Sequence, residues 1–152
     1  MEIVTTSPEE TFALGEALGR RLEAGDLVTL SGELGAGKTA LAQGISTGLG
    51  VTEPVTSPTF ALVHEYPGGR LVVWHVDLYR IERAAELREL GLDDVIGDPR
   101  GICVVEWADR FGVLPPDHLR IELAHTPDGR RLAVSGTGPR GRELAEGLLR
   151  SA

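Results

Sequence analysis

The chain has one lysine, one cysteine and one methionine among its 152 residues, and aromatic side chains make up only 5% of it. A single cysteine, Cys103, excludes an internal disulfide. Its setting in the apolar run "GICVVEW" predicts a packed small hydrophobe rather than a reactive thiol. Scarce aromatics with 41% hydrophobic residues predict an aliphatic core. Positive charge is also short: the formal net charge is −8. That balance argues against a broad basic footprint for DNA, RNA or an anionic membrane, while leaving room for a local anion site. No apolar run is long enough to span a bilayer. The N-terminal "MEIVTTSPEE" is acidic and lacks the apolar core of a secretory signal. The expectation is a soluble, cytoplasmic protein that contacts neither membrane nor DNA. With no repeat, low-complexity tract or linker, residues 1–152 read as a single domain.

The lone lysine is Lys38; the other fourteen basic residues are arginines. It sits in "SGELGAGKTALAQG", where Gly32-Glu33-Leu34-Gly35-Ala36-Gly37-Lys38-Thr39 fits G-x-x-x-x-G-K-[ST] in full. The flanks also fit, with the apolar strand "LVTLSG" before the motif and the helical "KTALAQGISTGL" after it. Gly35 and Gly37 allow a tight turn that brings backbone N–H groups to phosphate oxygens. The helix starting near Gly37 adds the positive end of its dipole. Lys38 reaches the β- and γ-phosphates, and the Thr39 hydroxyl is offered to Mg²⁺. An ammonium on a flexible stem fits inside such a loop as a point charge; a broad planar guanidinium does not. The nucleotide-binding stretch thus runs from Gly32 through Ala40.

The rest of the chain alternates short helices and strands. Ser7-Pro8-Glu9-Glu10 reads as a helix start with a capping box, and Leu14, Leu18 and Leu22 give that helix one apolar face up to Gly25. "FALVHEY" and "RLVVWHVD" flank Pro67-Gly68-Gly69 as a β-hairpin, and "LRIELAH" and "RRLAVSG" flank Thr126-Pro127-Asp128-Gly129 as a second. "ERAAELREL" and "GRELAEGLLR" read as helices, and "ICVVE" as a buried strand. The fold class is therefore α/β, a single P-loop NTPase-like domain whose sheet mixes parallel and antiparallel pairs and is flanked by helices.

Two apolar strands end in carboxylates, "LVVWHVD" at Asp77 and "ICVVE" at Glu106. Open α/β sheets bind ligands at the carboxyl ends of their strands, and a nucleotide–Mg²⁺ site needs acids there. Either residue suits a Walker B role. His75 reads as a packed or hydrogen-bonded strand histidine rather than a base. In the loop "VTSPTF", Ser57 or Thr59 can cover the γ-phosphate as a switch segment does; an ordinary Ser-Pro turn explains the same residues. Trp107 fits either a site rim or the core. Arg80 and Arg83 read as a solvated helix face.

Taken in order, "GELGAGKT", "TSPTF", "HVDLYR" and "EWADRFGVLPPDHLRIEL", preceded by "ALGEALGRRLEAGDLVTLSG", resemble the TsaE (YjeE) family from about Thr11 to Leu123. These are small P-loop ATPases of bacterial tRNA threonylcarbamoyladenosine synthesis. The resemblance implies ATP binding and slow hydrolysis with Mg²⁺. It also implies TsaD and TsaB as partners that modify the adenosine beside the tRNA anticodon, so that tRNA is reached only indirectly. Position by position it implies Lys38 on the phosphates, Thr39 and Glu106 on the metal, and Asp77 as a Walker B-like carboxylate. Thr59 falls in the switch segment, and Trp107 becomes a functional aromatic. Glu33 stands where the family usually has Asp, and Ala40 where a second Thr is common; neither position needs its side chain to hold phosphate.

Two other readings compete. A small-molecule kinase of this fold needs a basic lid and an acceptor pocket, and the chain has no lid insertion. A GTP-driven switch usually carries N-K-x-D, which needs a second lysine.

Overall fold

The computed structural model describes residues 1–33, 36–52, 63–78, 81, 83, 85–86, 91–107 and 117–152. Among these, seven strands form one sheet: β1 (Glu2–Thr5), β2 (Leu27–Gly32), β3 (Val63–Tyr66), β4 (Val72–Asp77), β5 (Gly101–Glu106), β6 (Leu119–Thr126) and β7 (Gly129–Gly136). Their spatial order is β1-β7-β6-β2-β5-β4-β3. The central strands β6, β2, β5 and β4 are mutually parallel, and antiparallel partners close both sides. The mixed sheet and both hairpins match the expectation. β1 was not anticipated: four residues are too few for a period-2 pattern to stand out, and the strand is defined by pairing with β7 rather than by its own sequence.

Helices α1 (Pro8–Arg21), α2 (Lys38–Gly48) and α4 (Pro139–Ser151) pack on the face of the sheet that carries Val28, Leu30, Ile102, Val104, Ile121 and Leu132. Leu14 and Leu18 of α1, Leu41 and Ile45 of α2, and Leu144 and Leu148 of α4 supply the large side chains on the helical side of that core. The opposite face of β4 and β5, bearing Trp74, Val76, Cys103 and Val105, packs under Leu78, Ile81 and the single-turn helix α3 (Leu92–Val95). The helix expected over residues 82–90 lies largely outside the described residues.

The start of α1 follows its sequence. Ser7 is extended at the N-cap, its hydroxyl accepts from the Glu10 N–H, and Pro8 opens the helix. The return limb of the box is displaced by one residue, because Glu10 accepts from the N–H of Thr6 rather than that of Ser7. That bond holds the Glu10 carboxyl below the usual carboxylate range. The helix ends at Arg21, before Gly25, and Arg70 donates to the carbonyls of Gly19 and Leu22 at its end.

α1 and α2 meet along a seam of four glycines. A Cβ on Gly15 would lie 2.5 Å from the Leu41 carbonyl oxygen, and one on Gly19 would lie 2.2 Å from that of Ile45. Gly44 and Gly48 face the carbonyl oxygens of Phe12 and Glu16 at 2.1 and 2.3 Å by the same measure. Backbone therefore touches backbone, and the phosphate-loop helix is seated directly on α1.

Candidate functional site

β2 delivers the chain to the phosphate loop. Gly32, its last residue, has φ +136°, and a Cβ there would sit 2.3 Å from the Leu123 carbonyl oxygen, so only glycine fits. The exposed Glu33 turns the chain, with the Ala36 N–H donating to its carbonyl at 3.1 Å. Ala36 is buried in the core. Gly37, at φ +103°, is the N-cap of α2 and leaves the helix without a side-chain cap. The contrast with the Ser7 cap of α1 is chemical: the N-cap residue of α2 is a glycine, which brings no side-chain oxygen of its own, so this end suits an anion. Leu34 and Gly35, like Ser57 and Thr59, lie outside the described residues.

Lys38 is buried, and its ammonium points back over the loop. Nζ donates to the Gly32 carbonyl at 2.7 Å, lies 4.0 Å from Glu106 Oε1, and sits 4.0 Å from the centroid of the Trp107 ring. Thr39 and Ala40 follow in the first turn of α2, both half-buried. The lone lysine is therefore enclosed by a carbonyl, a carboxylate and an aromatic face.

The two strand-ending acids meet as expected. In the β4–β5 register Asp77 stands opposite Glu106, and Leu30 of β2 pairs with Glu106 on its other side. Glu106 is 3% exposed, whereas Asp77 is half-buried. The residue pattern alone gave the pair equivalent status, and only the family resemblance distinguished them; burial separates them, because β5 is flanked by β2 and β4 while β4 borders the outer strand β3. Trp107 follows Glu106 with φ +64°, and its N–H donates to the Leu30 carbonyl. It is half-buried, packed against the edge of the core cluster under β4 and β5.

His75 is the buried, hydrogen-bonded strand histidine expected, but its partner and a neighbouring cleft were missed in the sequence. His75 Nε2 lies 2.6 Å from Glu106 Oε2; the signal was the H-x-D spacing, which puts His75 and Asp77 on one sheet face. A cleft of about 670 Å³ also opens beside the loop, walled by Ser31, Gly32, Glu33 and Trp107 on one side and by Glu122, Leu123 and Arg131 on the other. Its far wall comes from hairpin residues that carry no motif.

The oxygen donors of Thr39, Asp77 and Glu106 suit a hard divalent cation. Among the described residues no group of three or more His, Cys, Asp or Glu could hold a metal ion. Mg²⁺ is usually held through one or two carboxylates and substrate phosphates rather than by an all-protein cage, so this donor set fits it.

The family model described as "Threonylcarbamoyl adenosine biosynthesis protein TsaE" matches residues 5–133. The chain belongs to the TsaE family. It is 41% identical over 135 residues to the tRNA threonylcarbamoyladenosine biosynthesis protein TsaE of Nostoc sp., covering 87% of this chain and 83% of the relative. With the TsaE protein of Bacillus subtilis it shares 40% identity over 148 residues, covering 96% and 92%. The crystal structure of Bacillus subtilis YdiB superposes with a TM-score of 0.84 at 35% identity, covering 99% of this chain and 95% of that one. The TsaE match takes in the phosphate loop, both carboxylate-ending strands and β6, and ends within β7, before α4. Among the described residues no helix is long and apolar enough to cross a membrane.

Proposed function

We propose that this TsaE-family chain binds Mg²⁺–ATP on its phosphate loop and hydrolyses it slowly. That step serves threonylcarbamoyl modification of the tRNA adenosine beside the anticodon, in the cytoplasm and together with a TsaD–TsaB-type complex. The observation that carries the reading is the convergence of Lys38 and Glu106, 4.0 Å apart, at a helix N-terminus with no side-chain cap. Family membership supplies the tRNA context.

Each residue has a role that follows from its position. The N–H groups that open α2 and the Lys38 ammonium take the phosphates. Thr39 and Glu106 hold the metal, and Asp77, at the more open rim, holds or orients water. When bound, Mg²⁺ supplies neutralisation of the phosphate charge. Trp107 shields the Lys38 ammonium from solvent on one side.

Slow turnover follows from how Lys38 is held. Its ammonium is engaged by the Gly32 carbonyl and the Trp107 ring, and must exchange these contacts for phosphate. A partner that repositions Trp107 would speed that exchange.

The test is steady-state phosphate release with and without a TsaD–TsaB complex. Stimulation by the complex is expected. Fast turnover alone, unchanged by the complex, would overturn the partner-dependent reading. Transfer of phosphate to an added small-molecule acceptor would make the chain a kinase.

A further inference from the structure

We propose that His75 is a positioning residue for Glu106: its imidazole holds one carboxylate oxygen so that the other faces Lys38 and the phosphate loop. This rests on the function proposed above.

Glu106 is a carboxylate 3% exposed, and a buried carboxylate needs a hydrogen-bond donor. Among the described residues the group within hydrogen-bond reach is His75 Nε2, at 2.6 Å from Oε2. Lys38 Nζ approaches the other oxygen, Oε1, only to 4.0 Å. The carboxylate is thus fixed at Oε2 and turned toward the ammonium at Oε1.

Sheet geometry makes this possible. In the parallel β4–β5 pair, His75 registers with Val104 and Asp77 with Glu106. Side chains alternate along each strand, so His75, Asp77, Val104 and Glu106 share one face. The imidazole reaches diagonally, one pleat toward the carboxyl end, to meet Glu106. An ordinary packed residue at position 75 would meet Val104 instead.

The second ring nitrogen argues against a purely structural histidine. With Nε2–H donated to the carboxylate, Nδ1 is left as the buried nitrogen, and it has no partner among the described residues. A histidine retained for its own satisfaction would use both nitrogens. Leucine would fill the space without orphaning a polar atom. The ring's placement is therefore explained by Glu106. His64, its cross-strand neighbour on β3, shows the contrast: it bonds Tyr66 at 3.2 Å in the same strand and, among the described residues, reaches no carboxylate.

The test uses the whole chain and has two arms. In the nucleotide-free protein, long-range ¹H–¹⁵N correlation identifies the tautomer of His75 among the four histidines. The Nε2–H form is expected, and its signal should shift in Glu106→Gln. An Nδ1–H form, or a ring signal indifferent to Glu106→Gln, would overturn the proposal. The second arm compares His75→Leu with His75→Gln, which retains an N–H donor. Loss of an outer partner of a metal-binding carboxylate commonly costs about 10–100-fold in metal affinity. His75→Leu should raise the Mg²⁺ needed for half-maximal turnover by about that factor, leave Mg²⁺-free nucleotide affinity unchanged, and be largely rescued by His75→Gln. Equal loss in both variants at wild-type melting temperature would overturn the positioning role. Should wild type neither bind nor hydrolyse ATP, the functional reading fails on its own, and the tautomer arm still decides the His75–Glu106 geometry.

Discussion

The ammonium of Lys38 lies 4.0 Å from the centroid of the Trp107 ring, which reaches that position from a left-handed backbone at φ +64°. Such a conformation costs a bulky residue of order 1–3 kcal/mol. The strain is offset by the contacts made there: the Trp107 N–H on the Leu30 carbonyl and the indole against the only lysine in the chain.

Lys38→Arg is therefore expected to fail as a conservative change. A planar guanidinium must fit among the Gly32 carbonyl, Glu106 and the indole, all within 4.0 Å of Nζ. ATP hydrolysis should fall by ~10²-fold or more, close to Lys38→Ala, since one lost donor to developing charge typically costs that much. Near wild-type turnover in the Arg variant would show that the loop has room to spare.

Thr39→Ala should weaken the Mg²⁺-dependent part of nucleotide binding and leave the metal-free part nearly intact. Calorimetric titration of nucleotide with and without Mg²⁺ separates the two. An equal loss in both titrations would move the hydroxyl off the metal.

Asp77 and Glu106 share a register but differ in burial, and their variants should differ too. Glu106→Gln is expected to lower Mg²⁺–ATP affinity and turnover together. Asp77→Asn should spare affinity and reduce turnover by about 10²–10⁴-fold if it serves the attacking water. Matching kinetic profiles for the two variants would erase this division.

The parts of this site that were legible in the sequence are those written as contiguous patterns. The phosphate loop declares itself because its glycines, lysine and threonine are fixed by local backbone geometry, and β2 begins and ends where the apolar run does. Asp77 and Glu106 were visible as strand ends. The His75–Glu106 bond was not, because it depends on which strands are neighbours and in what register. The cleft wall from Glu122 and Arg131 was hidden for the same reason. Nor did the residue pattern by itself rank the two acids, since burial of Glu106 follows from the strand order.

Burial also fixes the chemistry of Cys103, whose thiol it pushes up to about 12 from an ordinary 9.0. The native chain should be unreactive toward thiol reagents at pH 8 and react on unfolding. The sign of the pH effect follows: a raised acid pKa means that the unfolded state loses its proton first. Stability is then fully retained below about pH 9 and falls as pH rises from 9 toward 12. Denaturant midpoints across that range should decline for wild type and less steeply for Cys103→Ala. Parallel curves would remove Cys103 as the cause.

Gly44→Ala tests the helix seam. The new methyl would lie 2.1 Å from the Phe12 carbonyl oxygen, and backbone cannot swing aside as a side chain can. A loss of about 1–3 kcal/mol is expected, seen as a melting temperature lower by several degrees. An unchanged melting temperature would mean that the helices can separate freely.

A helix pair in backbone contact has no compressible layer of side chains between its members, so it transmits displacement the way meshed gears without backlash do. A tug on the first turn of α2 at Lys38 must be carried by α1 as a whole. The far end of α1, roughly 20 Å along a 14-residue helix, is clasped by Arg70 from the β3–β4 turn and carries Arg21 against Gly147 of α4. The lysine is thereby joined, through a path of backbone contact, to the β3–β4 turn at Arg70 and to α4 at Gly147.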